Sequence, residues 1–371
     1  MKKLLMTAAL LVLGVAPARA DVTVGLVLPL TGRQANLGEQ IRHGADQAVL
    51  DINARGGIAG EKLVLRQVDD ACDPRQAVAV ANQMASGGVK FVVGASCSGA
   101  AIAASKVFME EGILSIAPLA TNPKLTDEGK DIVFRNCGRD DQQGAVLGNY
   151  MIKHFGDKKI AVAHDNSAYG KGLAEEILKT LRAGGVKEVL FDTYTPGERD
   201  YAALVSKLKQ VGAQVLMVGG FQTEIGLIAR QIKEQGATIQ ILGGDALMTS
   251  EFWTIAGTTG EGVLMSFNPD PRRRAEAKDV IAAIRKTGYE PEGYTLYTYA
   301  AFQALAEGIA RAGKTDTMKV AAALRASPVP TVLGNLNFDA KGDVTGENYV
   351  LYRWHDGSYA EVTETLDRKG K

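Results

Sequence analysis

Residues 91–116 read FVVGASCSGAAIAASKVFMEEGILSI. Phe91–Val93 is a short apolar run of the kind that forms a buried strand. Ala100–Met109 follows at helical period, and Ile113–Ile116 is apolar again. Strand, turn, helix, strand is one βα unit of a parallel sheet. The turn itself, GASCSG at 94–99, sets two serines around a cysteine. It poses three alternatives: a nucleophile, a redox thiol, or a cradle that holds a ligand without reacting with it.

The same alternation runs outward in both directions. Upstream, a strand is expected over Val22–Leu28, a helix over Leu37–Ala54, a strand over Leu63–Val68 and a helix over Pro74–Met84. Downstream it restarts at Ile160–Ala163. Gly172–Leu181, Val189–Phe191, Tyr201–Lys209, Val215–Val218, Thr223–Glu234 and Ile239–Leu242 then alternate helix and strand. Continuous apolar strands, each followed by a helix-period segment, mark parallel sheets covered on both faces. Two runs of alternation in 371 residues predict two doubly wound α/β lobes. In such folds ligands sit at the carboxyl ends of strands. The turns that matter are therefore Pro29–Gly38, Gly94–Gly99, Pro118–Pro123, His164–Gly170, Gly219–Glu224 and Gly243–Thr249.

The N-terminus sets the compartment. Lys2-Lys3, an apolar run over Leu4–Val15 and Ala18-Arg19-Ala20 make a secretory signal peptide, with cleavage expected before Asp21. A membrane anchor is the competing reading, but the run is short for a span of about 20 residues. The mature chain is expected in the periplasm. Acidic and basic residues balance at 42 each, so nothing favours nucleic acid or an anionic membrane. Pro271-Arg-Arg-Arg274 reads as a solvated helix start. Of the three cysteines, Cys72, Cys97 and Cys137, two can pair in an oxidising compartment, and counting does not say which.

The turns lack catalytic signatures. Gly94-Ala95-Ser96-Cys97-Ser98 misses the nucleophile elbow G-x-S-x-G by its last residue. The four histidines are scattered; only His164 lies in a turn after a strand, and it reads as structural. No H-E-x-x-H, paired Cys-x-x-Cys or phosphate-binding glycine motif occurs. Asp339–Asp343 resembles a calcium loop at a glance. Lys341 takes a ligand position, however, and a turn between strands fits better. What the turns carry is unreactive polar groups. Ser98 and Thr121 near helix N-termini can take an anion, and Asp245 can take an ammonium. Together they suit a zwitterion. Helix capping is the competing job for each residue alone.

Several stretches resemble the leucine/isoleucine/valine-binding protein family, the type I periplasmic solute-binding proteins of ABC importers of branched-chain amino acids. They are DINARGGIAG at 51–60, DDACDP at 69–74, DNSAYG at 165–170 and TVLG at 331–334. The likeness covers essentially the whole mature chain, in order. FRNCGRDDQQG at 134–144 is similar to a sub-branch whose members also take small non-branched amino acids. The resemblance implies two α/β lobes joined by three hinge crossings, near 139–140, 268–269 and 348–349, with a cleft that closes over the ligand. The N-terminal lobe would be 21–139 plus 269–348, and the C-terminal lobe 140–268 plus 349–371.

Carried over by position, Ser98 and Thr121 would meet the ligand carboxylate. The backbone of Leu119 and the carboxylate of Asp245 would hold its amino group, and Tyr169 would close over it. Leu37, Tyr294 and Phe221 would line the side-chain pocket. Leu37 stands where an aromatic is usual, Phe221 where tyrosine is frequent and Asp245 where glutamate is frequent. These departures leave the amino-acid class intact and put side-chain specificity in doubt. The resemblance also implies a Cys72–Cys97 disulfide, worth about 3 kcal/mol by loop closure, with Cys137 a buried thiol. GASCSG is then a stapled cradle. The function implied is capture of a free amino acid by a monomer without cofactor or catalysis, and delivery to a membrane permease. Leucine, isoleucine and valine lead; alanine, γ-aminobutyrate and larger acids stay open. Two other roles compete: a chemosensory binding protein, and an exported hydrolase using Ser96 or Ser98 with His164.

Overall fold

The computed structural model describes residues 21–313, 315–346 and 349–363. The expected signal peptide and the crossing at 348 lie outside the described residues. The chain begins β1 (Val22–Leu28), α1 (Ala35–Ala54), β2 (Leu63–Asp69), α2 (Pro74–Ser86), β3 (Phe91–Gly94), α3 (Ser98–Glu110), β4 (Leu114–Ala117), α4 (Lys124–Asp127) and β5 (Val133–Arg135). These strands form one parallel sheet in the order β2-β1-β3-β4-β5. The alternation then starts again with α5 (Asp140–Phe155), β6 (Ile160–His164), α6 (Ala168–Ala183), β7 (Leu190–Thr193), α7 (Ala202–Val211), β8 (Val215–Gly219) and α8 (Gln222–Glu234). It continues through β9 (Gln240–Gly243), α9 (Ser250–Ala256) and β10 (Leu264–Phe267).

The chain next returns to the first sheet. After α10 (Lys278–Arg285), α11 (Thr295–Ala312) packs on α1 and on the faces of β3 and β4, with α12 (Thr317–Ala326) beside it. A hairpin of β11 (Val329–Thr331) and β12 (Gly334–Leu336) closes this excursion. Finally β13 (Val350–His355) and β14 (Ser358–Glu361) join the second sheet, whose order is β14-β13-β10-β9-β8-β6-β7. β13 runs antiparallel to β10, so this sheet is not wholly parallel as the alternation predicts. The reason lies in the connection. The chain reaches β13 only after its excursion through α10, α11 and α12 in the first half, and β13 and β14 then pair as an antiparallel hairpin at the edge of the sheet.

The expected strands fall where they do because they are buried on both faces: every residue of β3, β4, β6 and β8 is buried. β2 and β7, at the sheet edges, are half-exposed. Pro271–Arg273 is a single 3-10 turn. Arg272 there is not simply solvated: it pairs with Asp270 at 2.8 Å and lies over the Tyr359 ring. At Asp339–Asp343 the Asp339 carboxylate accepts the backbone N–H groups of Lys341, Gly342 and Asp343, which closes a turn.

A cavity between the two sheets

The turn that opens the analysis is built by a glycine and a disulfide. Gly94 ends β3 at φ +116°, and a Cβ there would lie 1.9 Å from the Val27 carbonyl oxygen. Glycine alone allows that approach. Three residues on, Cys97 is the N-cap of α3 and is bonded to Cys72, with their Cα atoms 5.4 Å apart. The pairing implied by the family resemblance is the one present, and Cys137 is free and buried. Burial pushes the Cys137 thiol up, away from the reactive range. Ser98 is thereby fixed as the first residue of α3. Its hydroxyl accepts the backbone N–H of Asn122 at 3.3 Å, which ties the two turns expected to hold a carboxylate.

Ser98 does not serve as a cap: Cys97 holds that position in α3, and Gly244 holds it for the 3-10 turn that begins at Asp245. The capping alternative fails for both residues. His164 turns inward. Its Nδ1 accepts the N–H of Asn166 at 3.0 Å within its own turn.

Seven of the eight expected site residues line one cavity: Leu37, Ser98, Leu119, Tyr169, Phe221, Asp245 and Tyr294. Cys97 and Ala246 complete the wall. Thr121 is fully buried but is not part of it; its carbonyl accepts the Asp140 N–H at 2.9 Å. Leu37, Ser98, Leu119 and Tyr294 come from elements packed with the first sheet; the others come from the second. The cavity measures about 10 Å³, the room one water needs. It shares Cys97, Ser98, Tyr169 and Phe221 with a broader cleft of about 470 Å³, which is rimmed by Arg33, Gln34, Pro196 and Asp165.

Asp245 sets the electrostatics. It is 3% exposed, and its two oxygens accept from the hydroxyls of Tyr169 (2.8 Å) and Tyr294 (2.5 Å). Burial raises its pKa, while Tyr294, Gln143 and Tyr169 pull it back down. No cation among the described residues opposes it. The Tyr294 bond spans the two halves, as does a bond from the Asn122 side-chain amide to the Ala168 carbonyl (2.7 Å). A looser ion pair links Arg33 and Glu224 (3.6 Å) at the rim.

Sequence reasoning missed a second buried carboxylate and a buried cation. Asp140 is fully buried at the start of α5, and burial together with the nearby charge of Asp245 pushes its pKa well up. Arg135 is fully buried and donates to the carbonyls of Ala120 and Asn122, both at 2.9 Å, so it props the turn that presents Leu119. It also pairs with Asp343 at 2.7 Å. The stretch 134–144 carries Arg135 and Asp140 in plain view, but their burial could not be read from it.

A two-sheet α/β chain that encloses a polar-ended, apolar-walled cavity between its halves defines a ligand-binding protein of the periplasmic type. The chain belongs to the periplasmic binding protein family, whose model matches residues 21–358. A Leu/Ile/Val-binding protein homolog 1 of Brucella melitensis is 47% identical over 342 residues, covering 92% of each chain. An amino acid binding protein of Pseudomonas aeruginosa is 47% identical over 349 residues, covering 93% of each. Among solved structures, the branched-chain amino acid transporter substrate-binding protein LivJ of Streptococcus pneumoniae, in complex with isoleucine, superposes with a TM-score of 0.82. It is 26% identical, and the match covers 92% of this chain and 99% of LivJ.

Proposed function

We propose that the chain is an exported binding protein that captures a free branched-chain amino acid (leucine, isoleucine or valine) between its two halves. It then delivers the ligand to the membrane permease of an ABC importer. The observation that carries this reading is Asp245: a buried carboxylate whose partners, two tyrosine hydroxyls and the Gln143 amide, are all uncharged, facing a cavity walled in part by Leu37, Leu119, Phe221 and two tyrosine rings. A ligand ammonium supplies the missing charge. The ligand carboxylate goes to Ser98 at the N-terminus of α3, where free N–H groups favour an anion. The apolar walls take an aliphatic side chain. The names of the relatives support the same ligand class.

The activity is binding without chemistry. The cavity has room for about one water, so its walls must move apart to admit and hold an amino acid, and a hinge between the halves supplies that motion. The lobes are assigned as 21–139 plus 269–348 and 140–268 plus 349–371, hinged at their three crossings, with residues 1–20 removed on export to the periplasm. Occupancy biases the closed form, and that form signals to the permease.

The test is mass spectrometry of the small molecule released when the purified protein is unfolded, with calorimetric titration of leucine into refolded protein. Release and rebinding of leucine, isoleucine or valine supports the proposal. Another amino acid keeps the mechanism and changes the specificity. A ligand without an ammonium group overturns the role given to Asp245.

A further inference from the structure

Beyond the cavity wall, a second cluster joins the two halves. The Glu292 carboxylate, from the turn before α11, reaches the segment after β9. One of its oxygens accepts the Thr249 hydroxyl at 2.8 Å, and the other accepts the Ser250 N–H at 2.9 Å. Asn36 Oδ1 lies 3.1 Å from the same hydroxyl. Thr249 is fully buried, and its hydroxyl also accepts the Glu251 N–H at 3.3 Å. The turn is pressed into place from both sides. Gly293 sits at φ +48°, and a Cβ there would lie 2.3 Å from Gln40 Oε1 and 3.0 Å from the Met248 carbonyl oxygen. The same Gln40 oxygen accepts the Tyr294 N–H at 3.0 Å.

The cluster runs along the cavity wall in sequence as well as in space. Asn36 adjoins Leu37, Thr249 follows Asp245 by one turn of chain, and Glu292 precedes Tyr294 across Gly293. We propose that Glu292 is a positioning residue: it touches no ligand but locks the closed arrangement through Thr249 and Ser250, and so sets how long a bound amino acid is retained. The inference rests on the binding function proposed above. When the halves part, the carboxylate exchanges these partners for water. When they close, it fixes the Tyr294 turn against the Asp245 turn, which aligns the two residues that meet at 2.5 Å. Apparent affinity scales with the fraction of protein in the competent arrangement, so weakening the lock raises the dissociation rate without altering which side chain fits.

The test uses the full-length mature protein and two variants, Glu292→Ala and Glu292→Gln. Leucine dissociation is followed by stopped flow. Interlobe distance is followed by electron–electron resonance between spin labels attached through Lys106→Cys and Lys233→Cys. The Glu292→Ala variant is expected to release leucine about tenfold faster, with association and the leucine-to-valine ratio unchanged. Ligand-free, it should lose the short-distance component expected of the parent. The Glu292→Gln variant keeps one acceptor and should recover part of both effects. A Glu292→Ala protein with parental dissociation and parental distances overturns the lock. If the parent binds none of leucine, isoleucine and valine, the functional reading fails instead, and the ligand-free distances alone decide the lock.

Discussion

Asp343 and Asp245 are both buried, at 4% and 3% exposure, yet their surroundings are opposite. Asp343 accepts from Arg135 at 2.7 Å, from Arg139 at 2.7 Å and from the Thr126 hydroxyl at 2.9 Å. Arg139 adds pairs to Asp127 and Asp141. Every charge in that cluster is answered. Asp245 has two tyrosine hydroxyls and the Gln143 amide, and no cation among the described residues. A buried charge costs free energy unless it is paired. The paired aspartate is a structural member, placed where β5 meets the segment that leads back to the second sheet. The unpaired one is where we propose that the ligand ammonium binds. The two are linked, because Arg135 holds the carbonyls of the turn that presents Leu119 to the cavity.

The largest effect should come from breaking the paired site. Asp343→Asn strands a fully buried guanidinium, and removal of one partner of a buried pair costs about 3–5 kcal/mol. Urea unfolding of the ligand-free protein measures it. A loss under 1 kcal/mol would mean that the Arg135 cluster is not structural. The matching change at the unpaired site should behave in the reverse sense. Asp245→Asn removes an uncompensated charge, so the ligand-free protein should be at least as stable as the parent. Amino-acid affinity should fall by about 2–5 kcal/mol, as when one side of a desolvated charge pair is lost. Titration calorimetry beside the same urea series reads both quantities. The pH dependence follows from burial, which raises the Asp245 pKa. Parental affinity is full above that raised pKa and is lost as pH falls through it, while Asp245→Asn should show no such dependence.

The contrast also marks what the sequence could reveal. The strands are legible because burial on both faces leaves unbroken apolar runs, as at Phe91–Val93 and Val215–Val218. The site turns are legible because a doubly wound sheet puts ligands after its strands, and seven of eight residues chosen on that basis, with the family likeness, meet in one cavity. The ionic cluster is not legible. Arg135 and Asp343 are 208 residues apart, and Asp343 lies in a stretch that looks like a calcium loop or a plain turn. Nor is the lock, since Thr249 and Glu292 are 43 residues apart and each has the look of an ordinary turn residue. Pairing across the two halves depends on how they meet, and no local pattern records that.

A third, covalent device pins the opposite side of the cavity, and its removal should rank next. Replacing Cys72 and Cys97 together by alanine opens a link spanning 25 residues of chain and should cost about 3 kcal/mol of unfolding free energy. Because Cys97 walls the cavity and Ser98 starts α3 beside it, affinity should fall as well. A large loss of stability with parental affinity would show that the ionic prop at Arg135 holds the site without help from the disulfide.

The smallest effect sharpens the comparison with an acid that is buried and unpaired but lies outside the cavity wall. Asp70 is fully buried, accepts the Cys72 N–H at 2.9 Å through one oxygen, and has no partner for the other. Burial pushes its pKa up to about 6. Because the folded-state value lies above the unfolded one, folding favours the protonated form. The contribution of Asp70 to stability is greatest below pH 4, declines as pH rises to about 6, and stays lower above it. That rise from the ordinary carboxylate range sets a ceiling of about 3 kcal/mol, and the cost of burying an amide brings the expected gain for Asp70→Asn down to about 1–2 kcal/mol at pH 7.5. The asparagine keeps the acceptor for Cys72. The gain should vanish below pH 4, and leucine affinity should stay parental throughout. If Asp70→Asn weakened binding as Asp245→Asn is expected to, burial without a cation would not distinguish the ligand's aspartate from a merely costly one. The assignment of Asp245 would then rest on its two tyrosines alone.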